Sequence, residues 1–139
     1  MKYVGIVIHT NTSFMTHRIL LLDDEPAICE ITSILLKKLG YDAVITSKGE
    51  DTINAYRDAL AQGVRFDVVI LDLTVPGGLG GREVITALHE MDPDVLALVS
   101  SGDANDPAVV KFRDFGFTGV LMKPYTKAIL DATIKSVIN

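Results

Sequence analysis

Five short apolar runs alternate along the chain with five longer segments in which apolar residues recur every three or four positions. The short runs contain few polar residues, which predicts strands buried on both faces, as in a parallel sheet covered by helices. These predicted strands span residues 19–22, 42–46, 66–71, 95–99 and 118–122. The longer segments predict amphipathic helices over residues 26–39, 48–62, 82–91, 106–115 and 126–138.

Local signals at the helix ends refine this pattern. Pro26 opens the first helix, where a proline is tolerated, and the spacing of Ser47 and Glu50 is that of a capping box for the second. Asp106 and Pro107 are expected to cap and open a single helix that continues to Phe115. The face of the first helix that should pack on the sheet carries Ile28, Ile31, Leu35 and Leu39.

The alternation of strands and helices fixes the fold class. A strand–helix–strand crossover requires parallel strands, and its hand is nearly always right-handed. We therefore predict an α/β protein with a (βα)5 arrangement, a doubly wound flavodoxin-like sheet in which all five strands are parallel. The expected strand order is 2-1-3-4-5.

Composition narrows the class of protein further. The 139 residues suffice for one domain, which we place at residues 17–139, with residues 1–16 as a leader or linker. A net charge of −5 and 13 scattered basic residues argue against nucleic acid as a partner. Lone Cys29 fits a reducing compartment, and no apolar run approaches the roughly 18 residues of a membrane span. We expect a cytoplasmic domain without membrane contact.

Acidic residues follow two strands that should be neighbours in the sheet. Asp23 and Asp24 follow the first strand, and Asp72 follows the third. Two carboxylates about 4 Å apart repel by roughly 4 kcal/mol at an effective dielectric constant near 20, so such a cluster favours a bound cation. An all-oxygen ligand set suits Mg²⁺. Taken singly, Asp24 could be a helix cap and Asp72 could cap a turn.

A hydroxyl and an amine follow the last two strands. Ser100 lies at the end of the fourth strand and Lys123 at the end of the fifth, so both should lie at the same edge of the sheet as Asp72. A serine after a strand commonly forms a turn, and a lysine there is commonly a solvated charge. Together with the acidic residues, however, these groups form the set that phosphoryl transfer to an aspartate requires.

These motifs resemble the receiver (phosphoacceptor) domain of two-component response regulators, a CheY-like fold, over about residues 17–139. The resemblance rests on Asp23-Asp24, Asp72 with Pro76 and Gly80, Ser100-Ser101, and Lys123-Pro124. It implies that Asp72 is the phosphoacceptor. It also implies that the phosphoryl group is bound by Ser100, Ser101 and Lys123, and that Mg²⁺ is bound by Asp23, Asp24, Asp72 and the carbonyl of Thr74. Pro76 and Pro124 would shape the site, the latter through a cis peptide bond.

The resemblance also implies the partners of the domain. The phosphoryl group would come from a histidine kinase or a histidine phosphotransfer domain, and its transfer would switch conformation and partner binding. The stretch 71–81 and the segment 100–107 are similar to receivers at the C-terminus of bacterial hybrid sensor histidine kinases. In that interpretation the chain carries no DNA-binding output domain; a stand-alone regulator remains the alternative. The sequence leaves homodimerisation open.

One residue departs from the pattern of the receiver family and leaves other functions open. Receivers commonly carry a tyrosine or phenylalanine three residues before the lysine, and this chain has Val120 there. A pseudo-receiver that binds partners without phosphorylation is therefore an alternative. A phosphatase of the haloacid dehalogenase type is a weaker one, because that family has a second acid where Thr74 lies. Tyr125, just after Lys123-Pro124, is either structural or faces a partner.

Overall fold

The computed structural model describes residues 16–138, and five parallel strands alternate there with five α-helices and one 3-10 turn. The predicted leader or linker lies outside the described residues, apart from Thr16. The strands are β1 (Arg18–Leu22), β2 (Asp42–Thr46), β3 (Val68–Asp72), β4 (Ala97–Ser101) and β5 (Gly119–Met122). The helices are α1 (Pro26–Lys38), α2 (Gly49–Gln62), α3 (Gly81–Met91), α4 (Pro107–Val110) and α5 (Lys127–Ile138), and the 3-10 turn is Phe112–Phe115.

The strand order in the sheet is β2-β1-β3-β4-β5, with every neighbouring pair parallel. The predicted doubly wound, CheY-like topology is therefore confirmed. The register places Leu22 beside Leu71 and Asp72 beside Ser100. The carboxyl ends of β1, β3 and β4 are thus level with one another, so short loops suffice to bring their polar residues together.

Helices cover both faces of the sheet, and each face has its own apolar core. One core lies between the sheet and α2, α3 and α4, and it includes Tyr56, Ile85 and Val109. The other lies between the sheet and helices α1 and α5, and it includes Leu36 and Leu130. All five residues of β3 are buried, as expected of the central strand. Full burial of a leucine or isoleucine side chain contributes about 1.5–3 kcal/mol, so these two cores supply the main stabilisation.

The buried face of α1 agrees with the predicted one only in part, since Leu35 and Leu39 are half-buried against the core on this side of the sheet. Thr32 and Leu36 are the buried residues of this helix, whereas Ile31 is 56% exposed. A threonine can occupy the core here because its hydroxyl is hydrogen bonded to the hydroxyl of Tyr125 at 2.7 Å. That partner lies 93 residues away in sequence, so the apolar periodicity of the helix does not reveal it.

The predicted helix over residues 106–115 is wrong in its second half. Helix α4 ends at Val110, Lys111 leaves the helical region with φ −118° and ψ 49°, and a 3-10 turn follows. Residues three apart eclipse in a 3-10 turn, so Phe112 and Phe115 both pack against the core on the α3 side. The adjacent β-branched pair Val109 and Val110 also lowers the local helix propensity.

The predicted caps at two other helices are not formed. Helix α2 begins after Lys48 without a side-chain cap, so Ser47 does not close the predicted capping box. Helix α1 begins after Glu25, also without a side-chain cap, so Asp24 is not its cap. Within residues 16–138, no helix is both long and apolar enough to cross a membrane.

Two glycines bring the start of α3 against the end of β3. A Cβ atom at Gly80 would overlap the main-chain oxygen of Leu73, and one at Gly81 would lie 2.9 Å from the main-chain oxygen of Asp72. Only residues without a side chain allow this approach. The start of α3 therefore packs directly against the backbone of Leu73 and Asp72.

Candidate functional site

The predicted site residues lie at the carboxyl edge of the sheet. Asp23 and Lys123 directly follow β1 and β5, while Asp72 is the last residue of β3 and Ser100 the penultimate residue of β4. Strands β1, β3 and β4 are buried up to this edge, so the polar groups at their ends project from an apolar base. A cleft of about 450 Å³ opens above them and is lined by Asp24, Asp72, Thr74, Pro76, Lys123 and the Ser101-Gly102 turn.

Three carboxylates form an acidic cluster in this cleft. Ligand oxygens of Asp23, Asp24 and Asp72 all lie within 4.8 Å of one another. Asp23 and Asp72 are buried, at 1% and 5% exposure, and Asp24 is half-buried. Their donors are all hard oxygen atoms, and two are shielded from water. This set fits Mg²⁺, which prefers carboxylate oxygens and retains water ligands.

Asp23 is held in place from several directions. Its Oδ1 accepts a hydrogen bond from the backbone N–H of Glu25 at 2.9 Å, and its own N–H donates to the main-chain oxygen of Thr46 at 3.1 Å. The thiol of Cys29 donates to the main-chain oxygen of Asp23 at 3.1 Å. Burial, followed by the nearby acidic charges, raises the pKa of Cys29, so this thiol is a packing and donor group rather than a nucleophile.

Lys123 reaches into the acidic cluster and pairs with its two buried members. Its Nζ lies 2.7 Å from Oδ2 of Asp23 and 3.4 Å from Oδ1 of Asp72, with Glu25 Oε1 at 3.7 Å. Burial disfavours the ammonium form, but the hydrogen bond to Asp23 and the charge of Asp72 outweigh it and raise the pKa of Lys123. The site therefore keeps a fixed positive charge beside Asp72 at neutral pH.

The surroundings of Asp72 change its acidity. Burial raises the pKa of Asp72 to about 6, and the neighbouring charge of Asp23 adds to the effect. The ammonium of Lys123 opposes this rise, as does the N–H of Thr74, which donates to Oδ1 of Asp72 at 3.4 Å. A carboxylate taken out of water, yet largely ionised near pH 7, can act as a nucleophile.

The two serines of the predicted site differ in their surroundings. Ser101 Oγ accepts a hydrogen bond from the N–H of Asp103 at 2.9 Å, and Ser101 lines the cleft. Ser100 pairs with Asp72 across the sheet, and its Oγ is buried without a hydrogen-bond partner among residues 16–138. Buried hydroxyls in folded proteins are nearly always satisfied, so this oxygen points to a group that binds between Ser100 and Asp72.

The remaining predicted residues lie around this centre. Thr74 and Pro76 form the wall of the cleft that follows β3, and the Lys123-Pro124 peptide bond is cis, as the resemblance implies. Tyr125 binds Thr32 on α1, which assigns it a structural contact in this arrangement. Val120 is half-buried and packs against the α3-side core. The geometry thus brings all the predicted site residues to one edge of the sheet.

Comparison with known proteins agrees with this arrangement. A family model described as the response regulator receiver domain matches residues 19–135. The chain belongs to this family. Receiver domains of response regulators take part in two-component signalling, in which they interact with histidine kinases or phosphotransfer proteins, and they generally bind Mg²⁺ at an acidic site. The family assignment covers nearly the whole of the structure described above.

The curated relatives are response regulators. This chain is 30% identical over 123 residues to the DNA-binding response regulator MtrA of Mycolicibacterium smegmatis, and the match covers 88% of this chain and 50% of MtrA. The chain thus spans about half the length of the curated relatives it matches.

Solved structures show the same fold. The chemotaxis protein CheY4 of Vibrio cholerae is 26% identical, with a TM-score of 0.76 and coverage of 88% of this chain and 98% of CheY4. The receiver domain of the sensor histidine kinase PA1611 from Pseudomonas aeruginosa is 24% identical, with a TM-score of 0.74 and coverage of 88% and 98%. In that structure a magnesium ion is coordinated in the active-site cleft.

Some contacts that shape the site carry no signal in the sequence. Glu25 is outside the motifs of the sequence, and its Oε1 lies 3.7 Å from Nζ of Lys123. The thiol contact of Cys29 and the Thr32–Tyr125 hydrogen bond join residues without a motif. An ion pair between Arg82 and Asp106, at 2.5 Å, links the first turn of α3 to the start of α4. These interactions depend on distances between segments that are far apart along the chain.

Proposed function

We propose that this receiver accepts a phosphoryl group on Asp72 from a phosphohistidine of a histidine kinase or a histidine phosphotransfer domain, in a Mg²⁺-dependent reaction. The single observation that carries the proposal is the surroundings of Asp72. Its carboxylate lies in the acidic cluster, 3.4 Å from the ammonium of Lys123. Its neighbour across the sheet is Ser100, whose hydroxyl has no hydrogen-bond partner among residues 16–138. A nucleophile, a fixed positive charge and a vacant hydrogen-bond donor thus share one cleft.

The transfer exchanges one bond for another. A carboxylate oxygen of Asp72 attacks phosphorus, the P–O bond forms, and the P–N bond to the donor imidazole breaks. The imidazole nitrogen keeps the electron pair of that bond and takes up a proton. The attacking group must be ionised, and with a pKa of about 6 Asp72 is mostly ionised near pH 7.

The residues around Asp72 compensate the charge of the transferred group. Lys123 would shift its ammonium from the carboxylates toward a phosphoryl oxygen, and the Ser100 hydroxyl would donate to another. Ser101, which lines the cleft next to Ser100, would also contact the phosphoryl group. Ser100, Ser101 and Lys123 already lie at the same edge of the sheet as Asp72, so only short side-chain movements are needed to reach the phosphoryl group.

The acidic cluster would hold the metal ion. Asp24, Asp72 and the main-chain carbonyl of Thr74 would bind it directly, with Asp23 acting largely through water, since both oxygens of Asp23 already have partners. When bound, Mg²⁺ neutralises charge that develops on the phosphoryl oxygens. The magnesium ion in the cleft of the Pseudomonas aeruginosa receiver supports this assignment. Pro76 and Pro124 would keep the flanking loops in shape.

The proposed phosphorylation also bears on the partners of this domain and on the protein to which it belongs. We infer that phosphorylation of Asp72 switches the conformation of the domain and thereby the partner that it binds. The sensor-kinase receiver among the similar structures supports an origin in a hybrid sensor histidine kinase, with a stand-alone regulator as the alternative. We propose protein partners rather than nucleic acid for this domain, because its net charge is −5.

Intact mass after incubation with acetyl phosphate tests the proposal. With Mg²⁺ present, the wild-type protein should gain about 80 Da, the mass of one phosphoryl group. The gain should vanish in EDTA and in the Asp72→Asn variant. Asp67→Asn is the matched control, because Asp67 lies before β3, at the opposite edge of the sheet. It should be labelled like wild type.

The outcomes separate the competing functions. Labelling of Asp72→Asn to the wild-type extent would contradict the assignment of the acceptor. Absence of both the adduct and Mg²⁺ binding by calorimetry would favour a pseudo-receiver that acts by binding alone. Catalytic release of phosphate from an external phosphomonoester would favour the phosphatase alternative.

A further inference from the structure

An ion pair joins the first turn of α3 to the residue that caps α4. Nη2 of Arg82 lies 2.5 Å from Oδ1 of Asp106. The same carboxylate oxygen accepts the N–H of Ala108 at 2.9 Å and so caps α4. The guanidinium of Arg82 also lies over the ring of Phe115, 5.5 Å from its centroid. One side chain therefore contacts both the start of α4 and the end of the 3-10 turn.

The Arg82 end of this pair is fixed relative to Asp72. Arg82 is the second residue of α3, and it follows the two glycines that pack on the main-chain oxygens of Leu73 and Asp72. The N–H of Gly80 also donates to Oε1 of Glu83 at 2.8 Å, which closes the first turn of the helix. Arg82 thus extends from a segment that cannot move independently of the phosphoacceptor strand.

The Asp106 end is linked to the serines at the end of β4. Ser101 Oγ accepts the N–H of Asp103, and the main-chain oxygen of Asp103 accepts the N–H of Asp106 at 3.3 Å. The Asp103 carboxylate binds the N–H of Asn105 at 2.9 Å. This chain of hydrogen bonds connects Ser101 to Asp106 through Asp103, and a shift at the end of β4 would reach Asp106 along it.

We propose that the Arg82–Asp106 ion pair is a clamp that holds the β4–α4 loop and α4 in the unphosphorylated position, and that the clamp opens when Asp72 is phosphorylated. The inference rests on the proposed function. Within the described part of the chain the hydroxyl of Ser100 has no hydrogen-bond partner, and a phosphoryl group on Asp72 would supply one. Drawing Ser100 toward that group pulls the connected loop, and with it Asp106, away from Arg82.

The clamp supplies a route for signal output that does not use β5. Val120 occupies the position where receivers commonly carry an aromatic residue, and valine has no ring that could rotate between buried and exposed positions. On the α3 side of the sheet, half-buried Phe115 has the guanidinium of Arg82 over its face, and the neighbouring Phe112 has that of Arg113. Opening of the clamp removes the guanidinium of Arg82 from the ring of Phe115 and uncovers the adjoining surface of α4, where Val110 is already 62% exposed.

Amide hydrogen–deuterium exchange of the peptide spanning residues 104–116 tests the clamp. The full chain is compared with and without acetyl phosphate and Mg²⁺, and the adduct is followed by intact mass in the same samples. The variants are Arg82→Gln, Asp106→Asn and the matched control Arg57→Gln. Asparagine still caps a helix, so Asp106→Asn removes the charge but keeps the cap. Arg57 is an exposed arginine of α2, whose guanidinium binds Asn54 within the same helix.

In wild type, phosphorylation should raise exchange in this peptide by about two- to fivefold, the range expected for loss of a partly exposed ion pair. Arg82→Gln and Asp106→Asn should show that increase before phosphorylation and little more after it. Arg57→Gln should behave as wild type. A wild-type protein that carries the adduct but shows unchanged exchange would overturn the clamp alone, as would an Arg82→Gln variant identical to wild type. Failure of wild type to form any adduct would overturn the proposed function and the clamp together.

Discussion

Replacement of Ser100 by alanine should stabilise the unphosphorylated domain, which is unusual for a buried position. The hydroxyl of Ser100 is shielded from water, and no hydrogen-bond partner lies near it in the part of the chain that the structure describes. Such a group loses its hydration on folding without compensation, at a cost of about 1–3 kcal/mol. Deleting one oxygen leaves only a small void. The expected net change is a gain of about 1 kcal/mol in the free energy of unfolding.

Ser101 provides a matched control in the next position. It is also buried, but its hydroxyl accepts the N–H of Asp103 at 2.9 Å. Alanine at this position would leave that N–H unpaired, with a loss of about 1 kcal/mol. The same chemical change at two adjacent serines should therefore shift stability in opposite directions, with a difference of about 2 kcal/mol between the variants.

Urea denaturation followed by circular dichroism measures this difference. With a slope of about 2 kcal/mol per molar urea for a domain of this size, the midpoints of the two variants should differ by about 1 M. A Ser100→Ala variant that is as unstable as Ser101→Ala would refute the view that the hydroxyl is unsatisfied. In the presence of acetyl phosphate and Mg²⁺, Ser100→Ala should form the adduct more slowly, because a donor to the phosphoryl group is lost.

Three further results are expected. Gly80→Ala should destabilise the domain by about 2 kcal/mol or more in thermal unfolding, because its Cβ overlaps a main-chain oxygen, whereas Gly102→Ala, with open space around it, should be nearly neutral. Tyr56→Phe should lose about 1–2 kcal/mol in urea denaturation, since the buried carboxylate of Asp92 loses its 2.6 Å hydrogen bond. Although burial opposes it, that hydrogen bond helps to lower the pKa of Asp92, which should rise in the variant, as measured by NMR titration. Finally, the pKa of Asp72 is raised from 3.8 to about 6 in the folded protein, so the folded state binds this proton more tightly than the unfolded chain does. In EDTA, the free energy of unfolding should therefore fall by about 3 kcal/mol as the pH rises from 3.8 through 6. Asp72→Asn should flatten this part of the stability profile, and an unchanged profile would contradict the assigned pKa.

The sequence was sufficient for the fold because the periodicity of apolar residues is a local property. Each buried strand ends at a polar residue, and five such strands separated by helices admit only a parallel arrangement. That topology places every carboxyl end at one edge, so Asp23, Asp72 and Lys123 could be grouped without knowledge of any distance. Since a parallel sheet aligns its strand ends, a one-dimensional pattern predicted a three-dimensional cluster.

Other features were decided only by contacts between distant segments. The burial of Thr32 depends on a hydroxyl 93 residues away, and the break in the predicted fourth helix depends on the packing of Phe112 and Phe115. The burial of Thr32 does not follow from propensity, and the helix break follows from it only in part, because tertiary packing overrides weak local preferences.

The chemistry of the site divides in the same way. Residue types at the strand ends were enough to predict an acceptor, its charge partner and a metal ligand set. The raised pKa of Asp72, the unpartnered oxygen of Ser100 and the pairing of Arg82 with Asp106 required the folded structure. Burial, hydrogen bonding and ion pairing are set by what surrounds an atom in space, and the order of residues along the chain does not specify those surroundings.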